Sequence, residues 1–268
     1  RPEIETKLSA ALGHPVSIEQ GISFRLLPSP AAMVRGIRIK APAGGTSPDL
    51  AILRKLRVEL SLLKLVQGRI AFHAILIDEL TVTMETLNGG KLNWLVREEG
   101  SVPKALPEKA PQAPSGASPP VTDSSPDIEI SQLILSNARV ILRDAASGAE
   151  RRLEAINLDV EAQSLMGPYK FQGSAQLDGL PMHLAGGLES LRAERASPLD
   201  IEITLPGPGF KARFGGLLSL LSGGYAARGK LIVEAPSLEG LMRSLGLARG
   251  LAPDPIRVES TLTASANV

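Results

Sequence analysis

The residues best suited to hold a metal or move a proton at neutral pH are His14, His73 and His183, and they lie far apart in the chain. None sits in a His-Glu-x-x-His spacing or a comparable ligand pattern. His73 falls in an alternating run, on the side opposite Phe72, and a lone histidine without partners reads as structural. There is no cysteine, which excludes disulfides, thiolate nucleophiles and Cys-ligated zinc. No Gly-x-Ser-x-Gly elbow and no Walker-type loop occur. Gly207-Pro208-Gly209 lacks the Gly-Lys-Ser/Thr ending and reads as a turn. The acid pairs Asp78-Glu79 and Glu98-Glu99 are adjacent, so in a strand they point to opposite sides and cannot share a reacting proton. The expectation is a protein that is not an enzyme and has no cofactor and no metal.

Composition narrows the partners. The chain is 43% hydrophobic but only 3% aromatic, so its apolar mass is aliphatic and offers few stacking platforms for bases or sugars. A net charge of +1 gives no drive to neutralise phosphates, which argues against nucleic acid. The local basic groups Arg54, Lys55, Arg57 and Arg151, Arg152 read as solvated strand and loop ends. No run reaches the ~18 apolar residues of a membrane span. The sequence starts at Arg1 rather than Met, so a signal or anchor segment upstream is expected to be missing from it.

Periodicity supplies the elements. Pro2 to Leu12 reads as an amphipathic helix, with Pro2 in the first turn, Glu3 and Glu5 at the positive end of the dipole, and Gly13 then Pro15 as the stop. From Val16 the period becomes two. Runs at 16–26, 34–40, 56–60 and 69–85 read as strands, and Leu62 to Val66 as one helical turn. Around Ile75-Leu76-Ile77 the alternation slips by one residue, which signals a bulge or bend. Asn88-Gly89-Gly90 reads as a turn, and Asn93-Trp94-Leu95 as the start of a short helix. Trp94 reads either as a lipid contact or as a core anchor with Asn93 bonding local backbone, and the anchor is favoured. Residues 101–126 are rich in Pro, Ala and Ser and form a linker between region 1–100 and region 127–268. After it, alternating runs bounded by Gly, Pro, Asn or Asp predict an antiparallel meander, interrupted by a helix from Ser237 to Leu245. The predicted fold is α+β and mostly β: an elongated, curved antiparallel sheet, groove- or taco-like, with an N-terminal helix and a second short helix near residue 240. A weak internal repeat matches Ile75-Leu76-Ile77, Val82 and Met84 to Leu133-Ile134-Leu135, Val140 and Leu142.

The apolar strand faces are then the candidate site: Val58, Leu60, Ile70, Phe72, Val82, Met84, Val140, Leu142, Leu158, Val160, Phe171, Ile201, Ile203, Leu231 and Val233. Pattern alone leaves two arrangements open, a closed sandwich core and an open groove. In a groove each acyl methylene leaving water gains about 0.8 kcal/mol, so a sixteen-carbon tail gains on the order of 10 kcal/mol without charged contacts.

Several words resemble the AsmA family: Leu8-Ser9 with Ala11-Leu12-Gly13-His14-Pro15-Val16, Leu27-Pro28-Ser29-Pro30, Gly68-Arg69-Ile70, and Asn88-Gly89-Gly90-Lys91-Leu92-Asn93-Trp94. Past the linker, Leu133-Ile134-Leu135-Ser136-Asn137-Ala138, Arg143-Asp144, and Ser164-Leu165-Met166-Gly167-Pro168 continue the resemblance. His14 departs from the commoner Arg, and Asn137-Ala138 from the commoner Asn-Gly. The resemblance implies a periplasmic domain tethered to the inner membrane of a Gram-negative cell by a segment upstream of Arg1. It implies a chorein-like β groove, like that of bridge-type lipid-transfer proteins, that carries phospholipid or another acyl lipid toward the outer membrane. The alternative is a scaffold that binds an envelope protein partner and has no lipid channel.

Overall fold

A computed structural model of the chain describes residues 2–26, 29–61, 64, 71–87, 92–94, 129–164, 166–191, 195–207, 209–221, 224–237, 239–240 and 255–267. The helix α1 (Pro2–Leu12) is followed by β1 (Val16–Arg25), β2 (Ala31–Lys40), β3 (Asp49–Leu60), β4 (Ala71–Thr86), β5 (Glu129–Asp144) and β6 (Glu150–Ala162). Then come β7 (Tyr169–Leu177), β8 (Leu180–Leu188), β9 (Ala196–Leu205), β10 (Phe210–Leu221), β11 (Gly224–Ala235) and β12 (Ile256–Asn267). All twelve strands form one sheet in sequence order, from β1 at one edge to β12 at the other. The linker 101–126, the helical turn at 62–66, the turn at 88–90 and most of the helix expected to end at Leu245 lie outside the described residues; 239–240 are helical.

One part of the expected topology is corrected. The sheet is mixed, because β4 and β5 run parallel while every other neighbouring pair is antiparallel. Parallel neighbours need a crossover of a dozen residues or more, and the chain between Thr86 and Glu129 supplies that length. The parallel register places Ile75 beside Leu133, Ile77 beside Leu135, Val82 beside Val140 and Met84 beside Leu142. That is the register of the internal repeat, so the two similar segments lie side by side.

The slip in alternation also has a structural cause. Glu79 and Asn137 sit at φ 54° and 50°, Ala155 at 48° and Gly36 at 67°. These left-handed residues mark irregularities in β2, β4, β5 and β6; in β5 and β6 the register shifts there by an inserted residue, and the next apolar side chain returns to the same face. Ile77 and Leu80 therefore share a side despite their odd spacing, as do Leu135 and Ala138. Asn157 ties two of the bulges together, accepting from the Asn137 N–H at 3.1 Å and donating to the Ala155 carbonyl at 2.9 Å.

The edge strand β1 is capped by α1. Glu5 Oε1 accepts from the Ile18 N–H at 2.7 Å and Ser9 Oγ from the Val16 N–H at 2.8 Å, which satisfies edge amides that would otherwise offer a pairing template. Leu8 packs there on Val16, Ile18 and Ile37, the buried apolar cluster. A polar knot closes the end of β4. Fully buried Asn93 accepts from the Glu85 N–H at 2.7 Å and donates to the Thr83 carbonyl at 3.1 Å, while the buried Glu85 carboxylate accepts from the Thr46 N–H and hydroxyl at 2.8 Å. Asn93 and Trp94 form a turn, Leu92 bridging back to Thr86 and Asn93 bonding strand backbone, and Leu95, where the expected helix would continue, lies outside the described residues. Trp94 is half-buried.

Candidate functional site: the apolar face of the sheet

Directly opposed residues in neighbouring strands share a face, so the registers trace rows across the sheet. One row runs Ile22, Val34, Leu56, Ile77, Leu135, Leu158, Gly173, Leu184, Ile203, Ala212, Val233, Val258, one residue per strand. Every member is aliphatic or glycine. The row beside it runs Phe24, Ala32, Val58, Ile75, Leu133, Val160, Phe171, Gly186, Ile201, Phe214, Leu231, Ser260, and only its last member is polar. The first apolar row thus crosses all twelve strands, and the second crosses β1 to β11.

This face is not sealed. A sandwich core would hide these side chains completely, yet every member of the first row is at least partly accessible, and Val258 is 50% exposed. The opposite face is built for water. Its row on β6 to β12 is Asn157, Ser174, His183, Thr204, Lys211, Glu234, Arg257, and ion pairs span neighbouring strands, including Lys211–Glu202 at 2.9 Å, Arg257–Glu234 at 2.8 Å and Arg54–Glu79 at 3.0 Å. The Lys211 and then the Arg213 hydrogen bonds hold the Glu202 carboxyl below its usual range. Near the β1 end, burial pushes the Asp49 carboxyl up, but its bonds to Lys40 and Arg38 at 2.9 Å outweigh that and leave it lowered.

Glycines report how the strands bend. A methyl group on Gly173 would stand 2.2 Å from the Asn157 carbonyl oxygen, and one on Gly186 2.2 Å from the Asp200 carbonyl and 2.6 Å from the Phe171 ring. On Gly216 and Gly229 it would stand 2.4 and 2.5 Å from backbone oxygens. All four lie on the apolar side. On the polar side, Gly187 has its nearest neighbour at 3.2 Å and Gly215 has none within 4 Å. Backbone is crowded on the apolar side and relaxed on the other. Two depressions, of about 620 and 590 Å³, open between β5 and β9: the first has Asp159, Glu161, Lys170 and Asp200 in its wall, and the second joins Asp159, Ser174 and His183 to Leu135, Leu158 and Leu184 of the first row. An acyl chain in the first would have to desolvate those charges.

The structure brings most of the predicted residues together. Val58, Val160, Phe171, Ile201 and Leu231 stand in the second row, and Leu158, Ile203 and Val233 in the first. Val82 with Val140, and Met84 with Leu142, continue the same face past the bulges. Leu60 meets Phe72 across a register slip between β3 and β4. On the β5 side, Phe72 shares its face with Ile130, Ala74 and Gln132, the polar side, so Phe72 does not join the apolar rows. Ile70 lies outside the described residues. Missed were Ile75, Ile77, Leu133 and Leu135, whose triplets were visible but could not be phased before the bulges were placed. Leu184 and Phe214 were missed because Gly186-Gly187 and Gly215-Gly216 dilute the pattern of β8 and β10. His73 and His183 are exposed, and His183 lies on the polar face between Ser174 and Thr204. Among the described residues no group of His, Asp or Glu is placed to hold a metal ion.

No helix among the described residues is long and apolar enough to cross a membrane. No curated protein matches the chain. The model of the AsmA family matches residues 1–204, from α1 through nearly all of β9. By that match, over well more than half its length, the chain belongs to the AsmA family.

Proposed function

We propose that this chain is a non-catalytic, periplasmic lipid-handling domain that holds the acyl tails of phospholipid on the apolar face and passes them across the strands, from an inner-membrane tether upstream of Arg1 toward the outer membrane. The observation that carries this is the unbroken apolar row over twelve strands, partly open to solvent throughout. Eleven strand spacings of about 4.8 Å make a path of roughly 50 Å. That is about three times the ~15 Å depth of one leaflet's tails. A tail moving along it exchanges one aliphatic contact for an equal one, so no step is deeply trapped and no tail is strongly selected. The crowding of backbone at the apolar glycines supports a trough on that side. Head groups would remain in water. Co-purified phospholipid in native mass spectra, and saturable binding of a fluorescent phospholipid, are the expected results; a chain that binds neither refutes the reading.

The second reading, a scaffold for an envelope protein partner, draws on β12, whose outer edge pairs with no strand among the described residues. A partner strand could add there. Stoichiometric capture of one periplasmic protein by lipid-free chain would favour it.

A further inference from the structure

The two most exposed large apolar side chains described in the molecule are neighbours in one corner: Phe24 at 76% and Leu26 at 75%, against 50% or less for every other. A folded chain normally hides such groups, and paired ones in a corner mark a surface that meets something apolar. Their place is specific. Phe24 is the first member of the second apolar row, on the outermost strand. The helix α1 covers β1 only at its other end, over Val16 and Ile18. Since Ser9 meets Val16 and Glu5 meets Ile18, α1 runs antiparallel to β1 and begins on the Phe24 side. Arg25 sits between the two apolar residues and points to the opposite face of the strand. An aromatic and a leucine flanking an arginine have the composition of an interfacial segment, with rings and aliphatic groups among the acyl chains and the cation at the phosphates.

We infer that the Phe24-Arg25-Leu26 corner docks on an anionic phospholipid bilayer and is the mouth at which a tail enters the apolar rows. The mouth role rests on the proposed lipid function; docking does not. A bilayer is the occupant this composition fits, since two exposed apolar side chains with a cation between them meet acyl chains and phosphates together, whereas a partner strand added to the outer edge of β1 would bind without vesicles. Docking by two side chains and a charge is weak and reversible, as a loading site requires.

The test uses the 268-residue chain and two vesicle preparations, one of neutral phosphatidylcholine and one containing a third phosphatidylglycerol. The chain is expected to sediment with anionic vesicles, and several-fold less with neutral ones. F24S/L26S should lose at least tenfold in vesicle binding, and Arg25→Glu several-fold, with melting temperatures unchanged because these side chains are already in water. Vesicle binding by F24S/L26S equal to that of the unaltered chain overturns the inference, as does an unaltered chain that ignores anionic vesicles. Binding of a monomeric fluorescent fatty acid is measured in parallel. Its retention in Leu26→Ser, a residue outside both rows, separates the mouth from the rows. Its absence in the unaltered chain removes the lipid function and the mouth role while leaving docking to stand or fall on sedimentation.

Discussion

A charge placed in the middle of the first apolar row should interrupt lipid binding where the same charge on the other face does not. Leu158 is suited to this because it stands between Leu135 and Gly173, far from any cation in its row. Leu142 is a poorer choice: it faces Arg151, which would neutralise a glutamate there. A sixteen-carbon tail laid on one open face hides about half its surface, so it gains about 0.4 of the ~0.8 kcal/mol available per methylene, roughly 6 kcal/mol in all. A carboxylate at 158 keeps its hydration and clears about one strand spacing of ~4.8 Å on either side. That displaces roughly eight methylenes, about 3 kcal/mol, on the order of a 100-fold loss in affinity. Leu158 is half-buried, so its loss should cost the fold only about 1–2 kcal/mol. Ser174, on the polar face between Asn157 and His183, provides the control. Titration of a fluorescent fatty acid, with melting curves alongside, should show Leu158→Glu folded and nearly inert and Ser174→Glu binding like the unaltered chain. Equal affinities for the two variants would refute the argument, because binding would then not depend on which face carries the charge.

Three further predictions concern the frame that holds this face. Ala155→Gly should stabilise the protein by roughly 0.5–1 kcal/mol in denaturant unfolding, against the usual effect of glycine in a strand, because φ 48° is strained for alanine and free for glycine. Asn93→Ala should cost about 3 kcal/mol by the same assay, since the Glu85 N–H and the Thr83 carbonyl would be left buried without partners. Asp49, Glu150, Asp178 and Glu202 are held below their ordinary values, so the stability they confer is full above those values and lost as pH falls through the lower folded ones. Melting temperature should therefore be level above about pH 4.5 and decline on acidification below it, and Asp49→Asn should lower the neutral-pH value and flatten the decline.

How much of this was legible in the sequence depends on how far each signal reaches along the chain. The helix Pro2–Leu12 was readable because its cap, dipole charges and stop all lie within a few residues. Strand runs such as 56–60 and 199–205 were readable for the same reason, since alternation is local. Direction was not. Whether β5 joins β4 parallel or antiparallel is decided by where the chain re-enters after the linker, and no residue type in 129–144 records it; the clue was the repeat, whose two copies can lie in like register only if parallel. Phase was half legible. The slip after Ile75-Leu76-Ile77 could be seen, but its location could not, because Glu79 and Ala155 are not residues that advertise a left-handed backbone, whereas Gly36 and Asn137 are. The consequence reaches function. Without its bulges a sixteen-residue strand such as β4 would send Leu80, Val82 and Met84 to the polar side, and the apolar surface would end halfway along it. The left-handed positions are therefore what makes the face wide as well as long: they keep one side aliphatic past each bend, so that a tail arriving at any height of the sheet finds the same contacts.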